Sequence, residues 1–78
     1  MEINISSHAK ERMDKYGISG MALKSALENP DRTDKGQFGR KIAQKALNGY
    51  ILRIIYDEKN NIKTVITVYR VKKGRYEI

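Results

Sequence analysis

Apolar residues in the N-terminal third of the chain recur at the three- and four-residue spacing of an α-helix. Ala9, Met13 and Tyr16 fall on one helical face, behind a serine pair that can cap the first turn. After the glycine that closes this segment, Ser19 can cap a second helix, which Pro30 ends. The pattern therefore predicts two short, connected helices, at about residues 8–16 and 20–28.

The apolar pattern changes to the alternation of β-strands after Gly39. Asn48-Gly49 is a strong signal for a two-residue hairpin turn, and β-branched and aromatic residues follow it from Tyr50 to Tyr56. Lys41–Leu47 also fits a helix, but a strand is preferred because the hairpin turn needs a partner for the segment after it. A turn at 58–61, a strand over 62–71 and a short edge strand at 31–35 complete the predicted sheet.

A two-residue turn fixes which residues of the two hairpin strands face each other. The apolar side of this hairpin is expected to form the core under the helices, and Arg53 is expected on the other, solvated face of a central strand. Whether Thr67 and Tyr69 share that face is left open, because the loop before the last strand does not fix its register. The predicted pairs are Leu47 with Tyr50, Lys45 with Leu52, and Gln44 with Arg53.

These elements predict an α+β fold, with two N-terminal helices packed on a three- or four-stranded antiparallel sheet. The 78 residues are expected to form a single domain, too small for a large cofactor pocket. The chain has no cysteine, one histidine and no clustered carboxylates, so we predict no metal site and no cofactor. Without a long apolar run, no membrane partner is expected, and the expected location is the cytoplasm.

The net charge of +7 is concentrated in the second half of the chain. Residues 1–39 carry six Lys/Arg and six Asp/Glu, whereas residues 40–78 carry ten against three. A solvated basic tail is the simpler interpretation. However, most of these cations lie inside patterned segments, which favours a structured basic face that binds nucleic acid. The predicted nucleic-acid-binding residues are Arg40, Lys45, Arg70, Lys72 and Lys73.

The only histidine, His8, lies in the predicted first turn of the first helix. The helix dipole and Arg12, four residues later, both disfavour the imidazolium, so a neutral imidazole is expected there. Such a group can accept a proton from a ribose 2′-hydroxyl, while Arg12 and Arg53 stabilise a phosphorane and Tyr69 stacks a base or donates a proton. The alternative is that His8 only caps or packs the helix start and Tyr69 only packs across strands.

The segments "SSHAKERMDKYGIS", "ALENPD", "GRKIAQKALNGYILRIIYDE" and "VITVYR" resemble a small bacterial family, the domain of unknown function DUF4258, over nearly the whole chain. Its layout is similar to the RelE-like toxin fold, in which N-terminal helices cover a sheet whose basic surface cuts RNA. The resemblance implies a metal-independent endoribonuclease or toxin, acting on free or ribosome-bound RNA and controlled by an acidic antitoxin-like protein. A non-catalytic nucleic-acid-binding module and a protein-interaction module are the alternatives, since a fold does not determine a function.

Overall fold

Two helices pack against one face of a five-stranded mixed sheet in the computed structural model, which describes residues 2–72. In chain order the elements are β1 (Glu2–Ile5), α1 (Ser7–Tyr16), α2 (Gly20–Glu28), β2 (Arg32–Lys35), a short 3₁₀ turn (Gln37–Gly39), β3 (Lys41–Leu47), β4 (Tyr50–Lys59) and β5 (Ile62–Lys72). The strands lie side by side in the order β1-β5-β4-β3-β2. β1 runs parallel to β5, and the other neighbours are antiparallel.

The two predicted helices are confirmed to within one residue at each end. Ser6 caps α1 and Ser19 caps α2, each side chain accepting the N–H of the residue three positions later at 3.1 Å. Gly17 ends α1 in the left-handed conformation, at φ 65°, where a residue with a Cβ would be strained. Local capping chemistry therefore sets both helices.

The predicted hairpin is also confirmed, and Lys41–Leu47 is a strand. Asn48 and Gly49 both have positive φ, as a two-residue turn of this kind requires. A second such turn at Asn60 and Asn61 joins β4 to β5, and the predicted edge strand is present as β2. The observed register contains every predicted pair, namely Leu47 with Tyr50, Lys45 with Leu52, and Gln44 with Arg53.

The prediction of a three- or four-stranded, wholly antiparallel sheet is wrong. β1 adds a fifth strand, and it pairs parallel to β5 from Glu2 opposite Ile62 to Ile5 opposite Val65. The segment has only four residues, and its partner lies 60 positions along the chain. A local pattern of apolar residues carries no information about such a distant pairing, so the strand was missed.

A bulge in β5 fixes the start of α1 to the sheet. Between Val65 and Thr67, β5 carries one extra residue, Ile66, that no residue of β4 faces. The carbonyl of Ile66 accepts a hydrogen bond of 2.9 Å from the hydroxyl of Ser6, the same hydroxyl that caps α1. α1 therefore begins over β5 at the point where β1 ends.

The core lies between the helices and the sheet face that they cover, which we call the helix face. Leu52 and Ile54 of β4 and Val68 of β5 are fully buried there, in one cluster with Ala9 and Met13 of α1. Side chains alternate along each strand, so their neighbours project from the opposite face, here called the second face. Arg53, between Leu52 and Ile54, is one of these.

Candidate nucleic-acid interface

Four polar side chains form a row across the second face of the sheet. Arg53 is paired directly with Tyr69 on β5, which decides the register that the sequence left open, and Thr67 projects from the same face. The guanidinium carbon of Arg53 lies 5.4 Å from the centroid of the Tyr69 ring, within the range of a cation–π contact. In strand order the row consists of Arg32, Gln44, Arg53 and Tyr69.

Arg53 projects from the predicted face of the sheet but is only partly exposed there. Gln44 and Tyr69 flank it on the neighbouring strands, and Gln44 is itself only 4% exposed. The Gln44 side-chain amide donates to Asp34 at 2.6 Å, and Asp34 also accepts from Arg32 at 2.8 Å. These hydrogen bonds hold Gln44 and Arg32 in place, and the guanidinium of Arg53 is positioned by its contact with the Tyr69 ring.

A second cation–aromatic pair lies on the helix face at the same end of the sheet. The guanidinium carbon of Arg70 lies 5.1 Å from the centroid of the Tyr50 ring, and Lys72 is paired directly with Tyr50. Lys45 and Arg70 flank Leu52 on its two sides. The ammonium of Lys45 donates at 2.8 Å to the backbone carbonyl of the residue that follows α2. Three predicted nucleic-acid-binding residues therefore lie together.

Both cation–aromatic pairs border an uncovered edge of β5. β1 pairs with β5 only as far as Val65. From Thr67 to Lys72, β5 pairs with β4 on its inner side and with no strand of residues 2–72 on its outer side. Successive residues of this segment project to alternate faces, which puts the two pairs on opposite sides of one strand. We call this region the basic edge, defined as Tyr50, Arg53, Tyr69, Arg70 and Lys72.

Three other cations on or beside the sheet form ion pairs with carboxylates. Arg70 and Lys72 take part in none of the ion pairs formed among residues 2–72. The hydrogen bond between Lys41 and Glu58 lowers the pKa of that carboxyl and raises the pKa of the ammonium, so this pair stays charged near neutral pH. Arg70 and Lys72 thus leave positive charge at the basic edge that no carboxylate among residues 2–72 offsets. The ion pairs are Arg32–Asp34 at 2.8 Å, Arg40–Asp57 at 3.8 Å and Lys41–Glu58 at 3.0 Å.

His8 and Arg12 lie on α1, and the structure does not bring them together with Arg53. α1 covers the helix face, whereas Arg53 projects from the second face. The side chains of His8 and Arg12 form no hydrogen bond or ion pair with any other residue among 2–72. Arg40 precedes β3 at the end of the sheet away from the basic edge, and Lys73 lies outside the described residues.

Phe38 is a feature that the sequence analysis missed. Its side chain is 86% exposed, and its backbone has a left-handed conformation, at φ 59° and ψ 33°. The guanidinium carbon of Arg40 lies 5.9 Å from the centroid of its ring. One feature of the sequence could have indicated Phe38: it is the only phenylalanine of the chain, and it lies in a short segment bounded by Gly36 and Gly39.

Residues 2–72 contain neither a cluster of metal-binding side chains nor a membrane-spanning helix. No three His, Cys, Asp or Glu side chains there lie close enough together to hold a metal ion. Neither of the helices in this part of the chain is long and apolar enough to cross a membrane.

Residues 5–70 match the family model described as domain of unknown function (DUF4258). The chain belongs to DUF4258. The matched segment contains both helices, β2, β3, β4 and all of the basic edge except Lys72. No curated protein and no solved structure shows significant similarity to the chain. The resemblance to DUF4258 is therefore confirmed, and the family description names no activity.

Proposed function

We propose that this member of DUF4258 binds single-stranded RNA through the basic edge. The observation that carries the proposal is the presence of two arginine–tyrosine contacts, Arg53 with Tyr69 and Arg70 with Tyr50. They lie on opposite faces of the segment of β5 whose outer edge no strand of residues 2–72 covers. Guanidinium groups match the geometry of phosphate oxygens, and tyrosine rings stack on bases. The basic edge thus holds both kinds of group that bind a single strand.

The placement of the two contacts favours a single strand over a duplex. They project from opposite faces of the sheet, so a rigid duplex lying on one face reaches only one of them. A flexible strand that bends around the edge of β5 reaches both. Its phosphates would then lie near Arg70 and Lys72, which carry charge that no carboxylate among residues 2–72 offsets.

Replacing Arg70 and Lys72 together with alanine should flatten the salt dependence of RNA binding. Each phosphate contact to a single strand contributes about 0.7 to the slope of log affinity against log salt, so the slope should fall by about 1.4. Fluorescence anisotropy of a labelled oligouridylate, titrated at several salt concentrations, measures this slope.

The matched control for this test is the double variant Lys24→Ala with Lys59→Ala. It removes the same charge from α2 and from the end of β4 away from the basic edge, and both side chains are exposed. Its salt slope should equal that of the unmodified chain. Equal flattening in the control, or binding that does not respond to salt, would show that the basic edge is not the interface.

Metal-independent cleavage of the bound RNA is the second candidate function, favoured by the contact between Tyr69 and Arg53. A phenol can exchange a proton with the reacting oxygens, and a positioned guanidinium stabilises the charge of a phosphorane. The RelE-like layout, with helices over a sheet whose basic surface cuts RNA, supports this candidate by fold analogy. A toxin of this kind needs an inhibitor, and an acidic protein that covers the basic edge fits that role.

If residues of the second face cleave RNA, cleavage should continue when a chelator removes divalent metal ions, and it should leave a 2′,3′-cyclic or 3′-phosphate end. Tyr69→Phe should slow it, because the hydroxyl is lost and the ring is kept, whereas His8→Ala should not change the rate. Electrophoresis of end-labelled RNA, with and without ribosomes, measures both. If His8→Ala abolished cleavage and Tyr69→Phe did not, the catalytic residues would lie on α1. If the RNA stayed intact under all conditions, the protein would bind RNA without cleaving it.

A further inference from the structure

We propose that Phe38 stacks on a base of the RNA bound at the basic edge, with that base entering the cavity beside the ring. This inference rests on the proposed RNA binding and extends it to a second contact. The cavity has a volume of about 270 Å³ and lies on the second face. It is lined by Gly36, Gln37, Phe38, Arg40, Ile42 and Ile55.

Phe38 lies in the loop that turns β2 into β3, which is closed by a hydrogen bond of 2.7 Å from the N–H of Gly36 to the carbonyl of Arg40. This turn explains a left-handed backbone at position 38, but it does not require a phenylalanine there. A bulky residue in the left-handed region is a genuine outlier, which persists where the surroundings impose it and which clusters at binding sites. A ring that is 86% exposed gains little from burial. The conformation instead holds a flat aromatic surface at the mouth of the cavity.

The chemistry of the cavity suits a nucleobase. Its volume is below the range of about 300–1,000 Å³ typical of sites for drug-sized ligands, so it suits one flat ring system. Ile42 and Ile55 provide an apolar floor. Arg40, 5.9 Å from the Phe38 ring, can bind the adjacent phosphate in place of Asp57, from which it is separated by 3.8 Å.

The cavity and the basic edge are continuous on the second face. Ile55 and Arg53 are two residues apart on β4 and project to the same side, a spacing of roughly 7 Å along the strand. A single strand whose phosphates contact Arg53 can therefore place a neighbouring base against Phe38. Charge complementarity supports this occupant, because Arg40 and Arg53 lie on either side of the apolar floor.

The test uses a tryptophan reporter, because the chain contains no tryptophan. In Phe38→Trp, an oligoadenylate of about ten nucleotides should quench the indole emission, since the base stacks on the ring. Met21→Trp is the matched control: among residues 2–72, Met21 is the other exposed large apolar residue, at 84%, and it lies on α2. Its emission should not change.

Substitution of Phe38 by glycine or alanine distinguishes an effect on RNA binding from an effect on the stability of the fold. Phe38→Gly relieves the backbone strain and should melt no lower than the unmodified chain, yet Phe38→Gly and Phe38→Ala should each bind the oligoadenylate about tenfold more weakly. Inorganic polyphosphate, which has no bases, should bind all three chains equally. Oligoadenylate that binds the chain with no quenching in Phe38→Trp would overturn the stacking role alone. Failure of any RNA to bind would overturn the proposed function and this inference together.

Discussion

Arg53→Ala should weaken RNA binding on the order of thirtyfold, equivalent to about 2 kcal/mol. In the proposed mode of binding, the substitution removes a phosphate contact and also the cation that lies 5.4 Å from the Tyr69 ring. Arg53→Lys should show an intermediate loss, because an ammonium keeps the charge but not the planar guanidinium that stacks on a ring. Anisotropy titrations at one fixed salt concentration measure all three affinities.

The matched control for this prediction is Arg12→Ala. It removes the same side chain from α1, on the other side of the sheet, and should leave the affinity for RNA unchanged. Thermal unfolding of each variant shows whether a loss of binding is a loss of fold. If Arg12→Ala and Arg53→Ala weakened binding equally, the interface would include α1, and the second face would not be the primary surface.

Leu52→Ala should destabilise the fold by about 3 kcal/mol, within the range for deleting a fully buried leucine. Leu52 is 0% exposed and lies under the helices, so the substitution leaves a cavity between sheet and helix layer. A chain of this length has a total stability of roughly 4–12 kcal/mol, so the loss is a large share. Urea unfolding measures the difference.

Leu52 and Arg53 are adjacent on β4 and face opposite sides, so their variants should affect different properties. Leu52→Ala should lower stability, and Arg53→Ala should mainly lower affinity for RNA. The conservative variant Leu52→Met keeps most of the volume and should cost less than about 1.5 kcal/mol. A loss below 1 kcal/mol in Leu52→Ala would mean that the helices do not pack on this face.

Local chemistry made the helices and the central hairpin predictable. Ser19 and Gly17 set helix ends through hydrogen bonds and dihedral angles that involve only neighbouring residues. Asn48-Gly49 fixed the turn, and the period of two along a strand then fixed every pair of β3 with β4. β1 and the bulge at Ile66 were not predictable in this way, because both depend on pairing between distant parts of the chain.

The residues of the interface were only partly predictable for the same reason. The composition predicted the positive charge of the second half of the chain, and the alternation along β4 predicted the face of Arg53. The face of Tyr69 could not be predicted, because it depends on the register of β5, which the Asn60-Asn61 turn and the bulge determine. The sequence suggested that His8 and Arg53 act together. Each residue lies on the element predicted for it, but the two residues are on opposite sides of the sheet. Phe38 was missed because its glycine-bounded segment predicts a loop but does not indicate which residue of that loop has a positive φ.

The parallel pairing of β1 with β5 also sets the order in which the molecule can assemble. β3, β4 and β5 are joined by two-residue turns, so they can pair at small entropic cost, whereas β1 must close a loop of about 60 residues. The N-terminal segment is therefore expected to dock late, through the contact of Ser6 with Ile66. Until it does, the whole outer edge of β5 is unpaired, and a folding chain is most open to association with another copy at that stage.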